Sequence, residues 1–452
     1  MSGDPRAVAY ELLSRVATEG AYANLLLPKL ISEARLDGRD AAFATELSYG
    51  TLRWQGFLDA VIAKAAAREV ERIDPQLRDL LRLGAYQLLF MRVPAHAAVD
   101  STVNQVAATG KGSARGFVNA ALRRVSERSV AEWQSLVTEA GSDELTKLSV
   151  GFSHPRWEVA ALRDALGAAR ADLPKLLAVD NTAPRVTGVS RSGEAGVQEL
   201  LASGGESGRW SPLAVTLRQD PANLPGVVQG KLAVQDEGSQ LVVLAALNTQ
   251  LAGRDEKWLD LCAGPGGKVA LAASIRPAHV VAVEPQASRA ELVRRSLSAV
   301  TQDFEVVVAD GRDDQFATAD FDRVFVDAPC TGLGVLRRRP ESRWRRQPSD
   351  VANLAKLQGE LLDSALRAVR PGGLVAYSTC SPHLAETEFV IEDALKRHPE
   401  CELVDAVAAA MTIPGLHNAQ EFAELAGTGP FLRLWPHLHD TDGMFLALLR
   451  RR

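Results

Sequence analysis

From about residue 230 onward, five apolar runs of strand length, "WLDLCA", "VVAVEP", "FEVVVAD", "RVFVDAP" and "GLVAYSTC", alternate with helical patterns such as "SRAELVRRSLSAV" and "VANLAKLQGELLDSALRAV". Runs that are apolar on both faces and separated by helices predict a parallel sheet with helices on both sides. Such sheets bind ligands outside the carboxyl ends of their strands, so the residues that end each run are the ones to read for chemistry.

The first run ends in "DLCAGPGGK", a glycine-rich turn leading into a helix: Cys262, Ala263, Gly264, Pro265, Gly266, Gly267 and Lys268. Missing side chains let a ligand lie against backbone and helix N-terminus there. The turn is neither the dinucleotide pattern GxGxxG nor a Walker A loop. Glu284 ends the second run and Asp310 the third. One carboxylate accepts a pair of ribose hydroxyls, the other an adenine amino group, although either acid alone is as well explained as a helix cap. A nucleoside site without a phosphate cradle fits S-adenosylmethionine better than NAD.

The fourth and fifth runs end in cysteines, Cys330 in "DAPC" and Cys380 in "STCS". The chain has only four cysteines, widely separated, the others being Cys262 and Cys401. There is no CxxC pair and no histidine cluster, so neither a metal nor a disulfide framework is expected. Cys401 reads as a small buried apolar residue, and Cys262 as one that offers at most its backbone to the cofactor. For Cys330 and Cys380 the shared position at strand ends argues for chemistry. Carbon 5 of a pyrimidine is not nucleophilic until a thiolate adds to carbon 6; the carbon-5 proton must then leave before the thiolate is expelled, a step a second group near the ring can assist.

Ahead of this region, Pro5 to about Val125 is helical throughout by its three- and four-residue apolar spacing. The expected division is a helical domain over 1–135, a linker and small α/β unit of RRM-like kind over 136–228, and a Rossmann-like domain over 229–452. No stretch approaches the roughly 20 apolar residues of a membrane span, and the start has no signal pattern, so the cytoplasm is expected. Net charge is −5, yet "RRRPESRWRR" holds six arginines and one glutamate. Placed directly after the DAPC loop, Arg337, Arg338, Arg339 and Arg343 are expected to meet RNA phosphates.

"AGPGGK", "DAPC" and "STCS" together resemble the RNA cytosine-C5 methyltransferases of the Nop2/Sun family. "AVQDEGSQL" resembles that family's entry strand and "DGMFLALLR" its last strand. "RDAAFATELSYGTLR", "LRLGAYQLLFMRVPAHAAV" and "GFVNAALRRV" resemble the helical RNA-binding domain of NusB-type factors, a pairing found in bacterial enzymes acting on 16S ribosomal RNA. The resemblance implies that Cys380 is the nucleophile and Cys330 promotes product release. It also implies that Asp327 and Lys268 contact the cytosine or the methyl donor, and that Glu284 and Asp310 hold ribose and adenine. Two departures are small: Met444 stands where a second aromatic is common, and the turn reads AGPGGK rather than AAPGGK.

The expected partner is 16S RNA, free or partly assembled, with no membrane and no obligatory oligomer. Three other readings compete with this one. An inactive NusB-like RNA-binding scaffold is opposed by the intact Cys330, Asp327 and Cys380. Action on transfer RNA stays open. A protein or small-molecule methyltransferase would not need two thiols and would more often carry an NPPY-like motif. The segment "HNAQEFAELAGTGPFLRLWPHLHD" near the end carries no legible motif.

Overall fold

A computed structural model describes residues 3–139, 143–218, 221 and 224–452. Two compact units result: residues 1–183 with 336–346, and residues 184–335 with 347–452. The boundaries expected at 135 and 228 therefore move. The stretch read as a linker is helical, with helices Glu144–Gly151, Arg156–Leu166 and Leu173–Val179, and it belongs to the first unit.

The first unit is built from helices, beginning with Pro5–Glu19, Ala23–Ala34, Gly38–Arg53 and Gln55–Ala66 and continuing through Pro75–Phe90, Ala95–Ala108, Arg115–Val125 and Val130–Glu139. Asp4, Asp37 and Asp74 each accept first-turn amides as N-caps, which fixes where three of these helices start. Their apolar stripes form one core around Leu12, Leu47, Phe57, Leu80 and Leu122.

The second unit contains two sheets. Strands β1 (Thr187–Ser190), β2 (Glu206–Ser207), β3 (Ala214–Thr216) and β4 (Leu232–Val234) form a small antiparallel sheet in the order β2-β3-β1-β4. The "AVQDEGSQL" segment, expected as an entry strand, thus ends β4 of the small sheet and then becomes the helix Glu237–Asn248. The five apolar runs form the parallel strands β5 (Lys257–Asp260), β6 (His279–Val283), β7 (Phe304–Val307), β8 (Phe321–Asp327) and β9 (Val369–Thr379). These lie in the order β9-β8-β5-β6-β7. Strand order reverses between β5 and β8, so the glycine turn and the DAPC loop open side by side at a topological switch point. β10 (Cys401–Val404), β11 (Leu432–Leu434) and β12 (Met444–Arg451) complete the large sheet, all antiparallel to their neighbours, with β12 on β9.

The segment without a legible motif is structural. It supplies the helix Ala419–Ala426 and β11, and Phe422 and His439 pack against Trp210, whose indole N–H donates to the His439 carbonyl at 2.7 Å. Among the described residues no helix is long and apolar enough to cross a membrane.

Candidate active site

β5 ends at Asp260, a buried residue that sequence reasoning passed over. Its carboxylate accepts the Cys262 amide at 3.0 Å, shaping the start of the turn. Burial pushes this carboxyl up to about 7 despite that hydrogen bond. Within the turn the Ala263 amide donates to Val283 and the Gly266 amide to Ala263. One glycine is obligatory and another makes room. A Cβ on Gly264 would stand 2.0 Å from a carboxylate oxygen of Glu284, which would have to shift as it does where the motif carries alanine there. Gly266 has φ +104° and would meet the Ser296 side chain at 2.8 Å. Pro265 accepts from the Ser296 hydroxyl at 3.4 Å, and Gly267 opens the helix Gly267–Ile275.

Glu284, at the end of β6, is buried against this turn and accepts the Gln286 amide at 2.9 Å. Arg289, also missed in the sequence, donates to the Gly264 carbonyl at 2.5 Å and lies 3.6 Å from the Glu284 carboxylate. It ties acid and turn together. Asp310, past the end of β7, is half exposed. It is held by Arg312 through the backbone amide at 3.0 Å and the guanidinium at 2.9 and 2.7 Å, while Arg312 also reaches Glu360 at 2.6 Å. The Arg312 guanidinium holds the Asp310 carboxyl below its ordinary range. A ligand amine at Asp310 therefore competes with an ion pair already formed.

At the end of β8, Asp327 accepts Lys268 at 2.7 Å and the Ser378 hydroxyl of β9 at 3.2 Å. Parallel register places Asp327 opposite Ser378, two residues before Cys380. Burial works against the Lys268 ammonium, but Asp327, and more weakly Cys380, outweigh it, and the lysine titrates above its ordinary value. The sulfurs of Cys330 and Cys380 lie 3.3 Å apart. The hydrogen bond to Cys380, then burial, then the charges of Cys380, Glu386 and Asp327 push the Cys330 thiol well above its usual range. Gly334 donates its amide to the Cys380 carbonyl at 2.9 Å; a Cβ there would lie 2.8 Å from that carbonyl and 2.1 Å from the Gly443 carbonyl ahead of β12, so the two cysteine loops pack backbone to backbone. Cys262 is raised chiefly by burial, and Cys401 lies in the core on β10. Among the described residues no group of histidines, cysteines and carboxylates is placed to hold a metal.

The comparisons with known proteins concern family and fold. The model for "16S rRNA methyltransferase RsmB/F" matches residues 246–450, and the NusB family model matches residues 4–127. Rv1407 of Mycobacterium tuberculosis (strain ATCC 25618 / H37Rv), named provisionally as a methyltransferase, is 50% identical over 99% of this chain and 97% of its own. Ribosomal RNA small subunit methyltransferase B of Pseudomonas syringae pv. tomato is 34% identical over 95% of each chain. This chain belongs to the RsmB/F methyltransferase family. Its cofactor is S-adenosylmethionine. The crystal structure of PH0851 shares the fold across 99% of this chain and 98% of its own, with TM-score 0.78 at 23% identity.

One part of the expected RsmB/F site needs correction. Arg337 and Arg343 are buried in the helical unit, to which residues 336–346 belong. The Arg343 guanidinium donates to the carbonyls of Arg53 (2.8 Å), Ser153 (3.2 Å) and Asp180 (2.7 Å) and to the Asn181 side chain (2.6 Å). Arg53 in turn donates to the Arg337 carbonyl at 3.2 and 3.0 Å. With both terminal nitrogens taken by these acceptors and the whole side chain buried, this guanidinium is not available to a phosphate. Arg338 is half-buried and Arg339 exposed, and only these two retain the expected opportunity.

Proposed function

We propose that this enzyme methylates carbon 5 of a cytosine in 16S ribosomal RNA through a covalent adduct on Cys380, with Cys330 promoting release. The observation that carries the reading is the 3.3 Å approach of two sulfurs beside the Lys268–Asp327 pair. A single thiol would serve nucleophilic attack; a second one touching it suits a reaction whose thiol adduct must later be broken.

The residues divide the work. Lys268, held as an ammonium by Asp327, stabilises negative charge at Cys380. Cys380 then adds to carbon 6 of the cytosine, and its S–H proton passes to solvent. Cys330, protonated at rest, hydrogen-bonds Cys380; in the second half-reaction it assists loss of the carbon-5 proton, by placing a base or, once its own proton has passed to solvent, as the base itself, before the carbon–sulfur bond breaks. Asp327 and Ser378 orient the lysine. The cradle of Gly264 and Gly266 beside Glu284, with Asp310 beyond it, fits S-adenosylmethionine, which supplies the methyl group when bound. The base must leave its stack to reach both thiol and methyl donor, costing a few kcal/mol, which favours a loop or unfolded RNA and hence free or partly assembled 16S RNA. The NusB-like helices are read as touching RNA remote from the reacting base, supported by the family match and by the relatives' names.

The test separates the thiols. Cys380→Ala should neither methylate RNA nor form an adduct. Cys330→Ala should accumulate a protein–RNA species stable to denaturing electrophoresis, only when S-adenosylmethionine is present. The double variant should show none. Adduct in Cys380→Ala and none in Cys330→Ala would exchange the roles.

A further inference from the structure

Glu386 lies in the single turn Leu384–Glu386 after β9 and is fully buried. Its carboxylate accepts four donors: the Thr331 amide at 2.8 Å, the Thr331 hydroxyl at 2.5 Å, the Ser381 hydroxyl at 2.6 Å and the Gln358 side-chain amide at 3.1 Å. Thr331 follows Cys330 and Ser381 follows Cys380. The two hydroxyls are also 3.0 Å from each other. Gln358 spans from Glu386 to the Pro329 carbonyl at 2.8 Å, just before Cys330, and the Tyr377 hydroxyl donates to the Glu386 carbonyl at 2.8 Å from within β9.

Beyond the backbone contact of Gly334 with Cys380, the residues that follow the two sulfurs would meet only through neutral hydroxyls, which hold them weakly. A carboxylate gives both a shared anchor, because charge-assisted hydrogen bonds are about twice as strong as neutral ones. A carboxylate held by neutral donors alone is costly to bury, so Glu386 is a poor choice for packing alone.

We propose that Glu386 is a positioning residue: its carboxylate joins the Cys330 and Cys380 loops and holds the two sulfurs at their reacting separation. The inference rests on the two-thiol reading above, in which both sulfurs act on one base. The Glu386 charge also contributes, after the Cys380 hydrogen bond and burial, to retaining the proton on Cys330.

The test uses sulfur chemistry that does not depend on methyl transfer. Diamide oxidises two adjacent thiols to a disulfide, taking up their two electrons and two protons as it becomes a hydrazine. In the full chain it should link Cys330 to Cys380, read by peptide mass after alkylation. Glu386→Gln keeps the shape but turns one acceptor into a donor facing donors, and should form this disulfide about tenfold more slowly or worse, since effective molarity falls steeply with misplacement. It should also lower kcat by a similar factor at unchanged KM for RNA, and move the limb of the pH–rate profile that reports Cys330 to lower pH. Thr331→Val, which deletes one hydroxyl, should show a smaller slowing of disulfide formation and decides the matter if Glu386→Gln does not fold. Disulfide formation at the wild-type rate in the folded variants would overturn the proposal. Failure of Cys330→Ala to trap RNA would instead overturn the two-thiol mechanism and leave the disulfide result standing, so the two failures are distinguishable.

Discussion

Each unit buries a cluster of charge, and the two clusters are put to opposite use. In the helical unit Arg343, Asp180, Glu158 and His154 are all essentially without solvent exposure, and both terminal nitrogens of the guanidinium are already engaged by backbone carbonyls, while the Asp180 and Glu158 carboxyls face it without hydrogen bonds. In the catalytic unit Lys268 and Asp327 keep 19% and 34% of their side chains exposed beside two sulfurs. A closed cluster holds chain segments together; a half-open one leaves valences for a substrate. Local charge density does not separate them, since the arginine-rich stretch feeds the closed cluster and the sparser strand ends form the open one.

The comparison breaks most readily at Arg343. Arg343→Ala should destabilise the protein by about 3–5 kcal/mol, because it strands buried carbonyls and the Asp180 and Glu158 carboxyls, whereas Arg339→Ala should change stability by about 0.5 kcal/mol or less. Urea unfolding followed on both variants checks this. A stable Arg343→Ala protein with lost RNA affinity would mean the closed cluster is a binding site after all.

A second difference is in pH response. Asp260 titrates near 3.8 when unfolded and near 7 when folded. Across that window the unfolded chain binds fewer protons, so the group's contribution is complete below about pH 4 and is lost as pH rises to 7, on the order of 4 kcal/mol in all. Asp260→Asn should flatten this slope. His154 runs the other way: burial and Arg343 hold it near 4, so its contribution is present above pH 6.5 and is lost as pH falls toward 4. Hydrogen exchange at pH 4.5 and 7, read separately for the two units, sharpens the contrast; identical slopes in wild type and Asp260→Asn would remove it.

Within the open cluster, Glu284→Ala should weaken S-adenosylmethionine binding by about 1.5–3 kcal/mol. Asp310→Ala should cost less, since Arg312 already occupies that carboxylate. Calorimetry giving equal losses would show that Arg312 swings aside freely. The smallest effect is expected at the surface. Arg338→Ala with Arg339→Ala should flatten log affinity against log salt by about 0.7 for each phosphate of single-stranded RNA left without its cation, and an unaltered slope would make both a solvated face.

What the sequence disclosed follows the range over which each feature is encoded. Apolar runs and their terminal residues are local, so β5 to β9 and the residues at their ends could be read directly. The Glu386 anchor depends on donors 55 and 5 residues away, and nothing in "SPHLAETE" advertises it. Arg343 failed for the same reason in reverse: its composition signals a charged surface, while its partners near residues 53, 153 and 180 come from distant helices. Asp260 was visible in "DLCAGPGGK" but passed over, because its role lies in a backbone amide two residues on rather than in a motif.

Residues 336–346 complete the helical unit although they follow β8 of the other. During synthesis the helices emerge first, yet the segment that fills the space around Arg53 and Asp180 leaves the ribosome only after more than half of the large sheet's parallel strands. At about 5–20 residues per second this is a delay on the order of ten seconds or more, during which the buried His154, Glu158 and Asp180 have no arginine between them. The N-terminal half of the gene therefore does not encode a finished domain, and a fragment ending at residue 183 should expose the seat of its own missing piece.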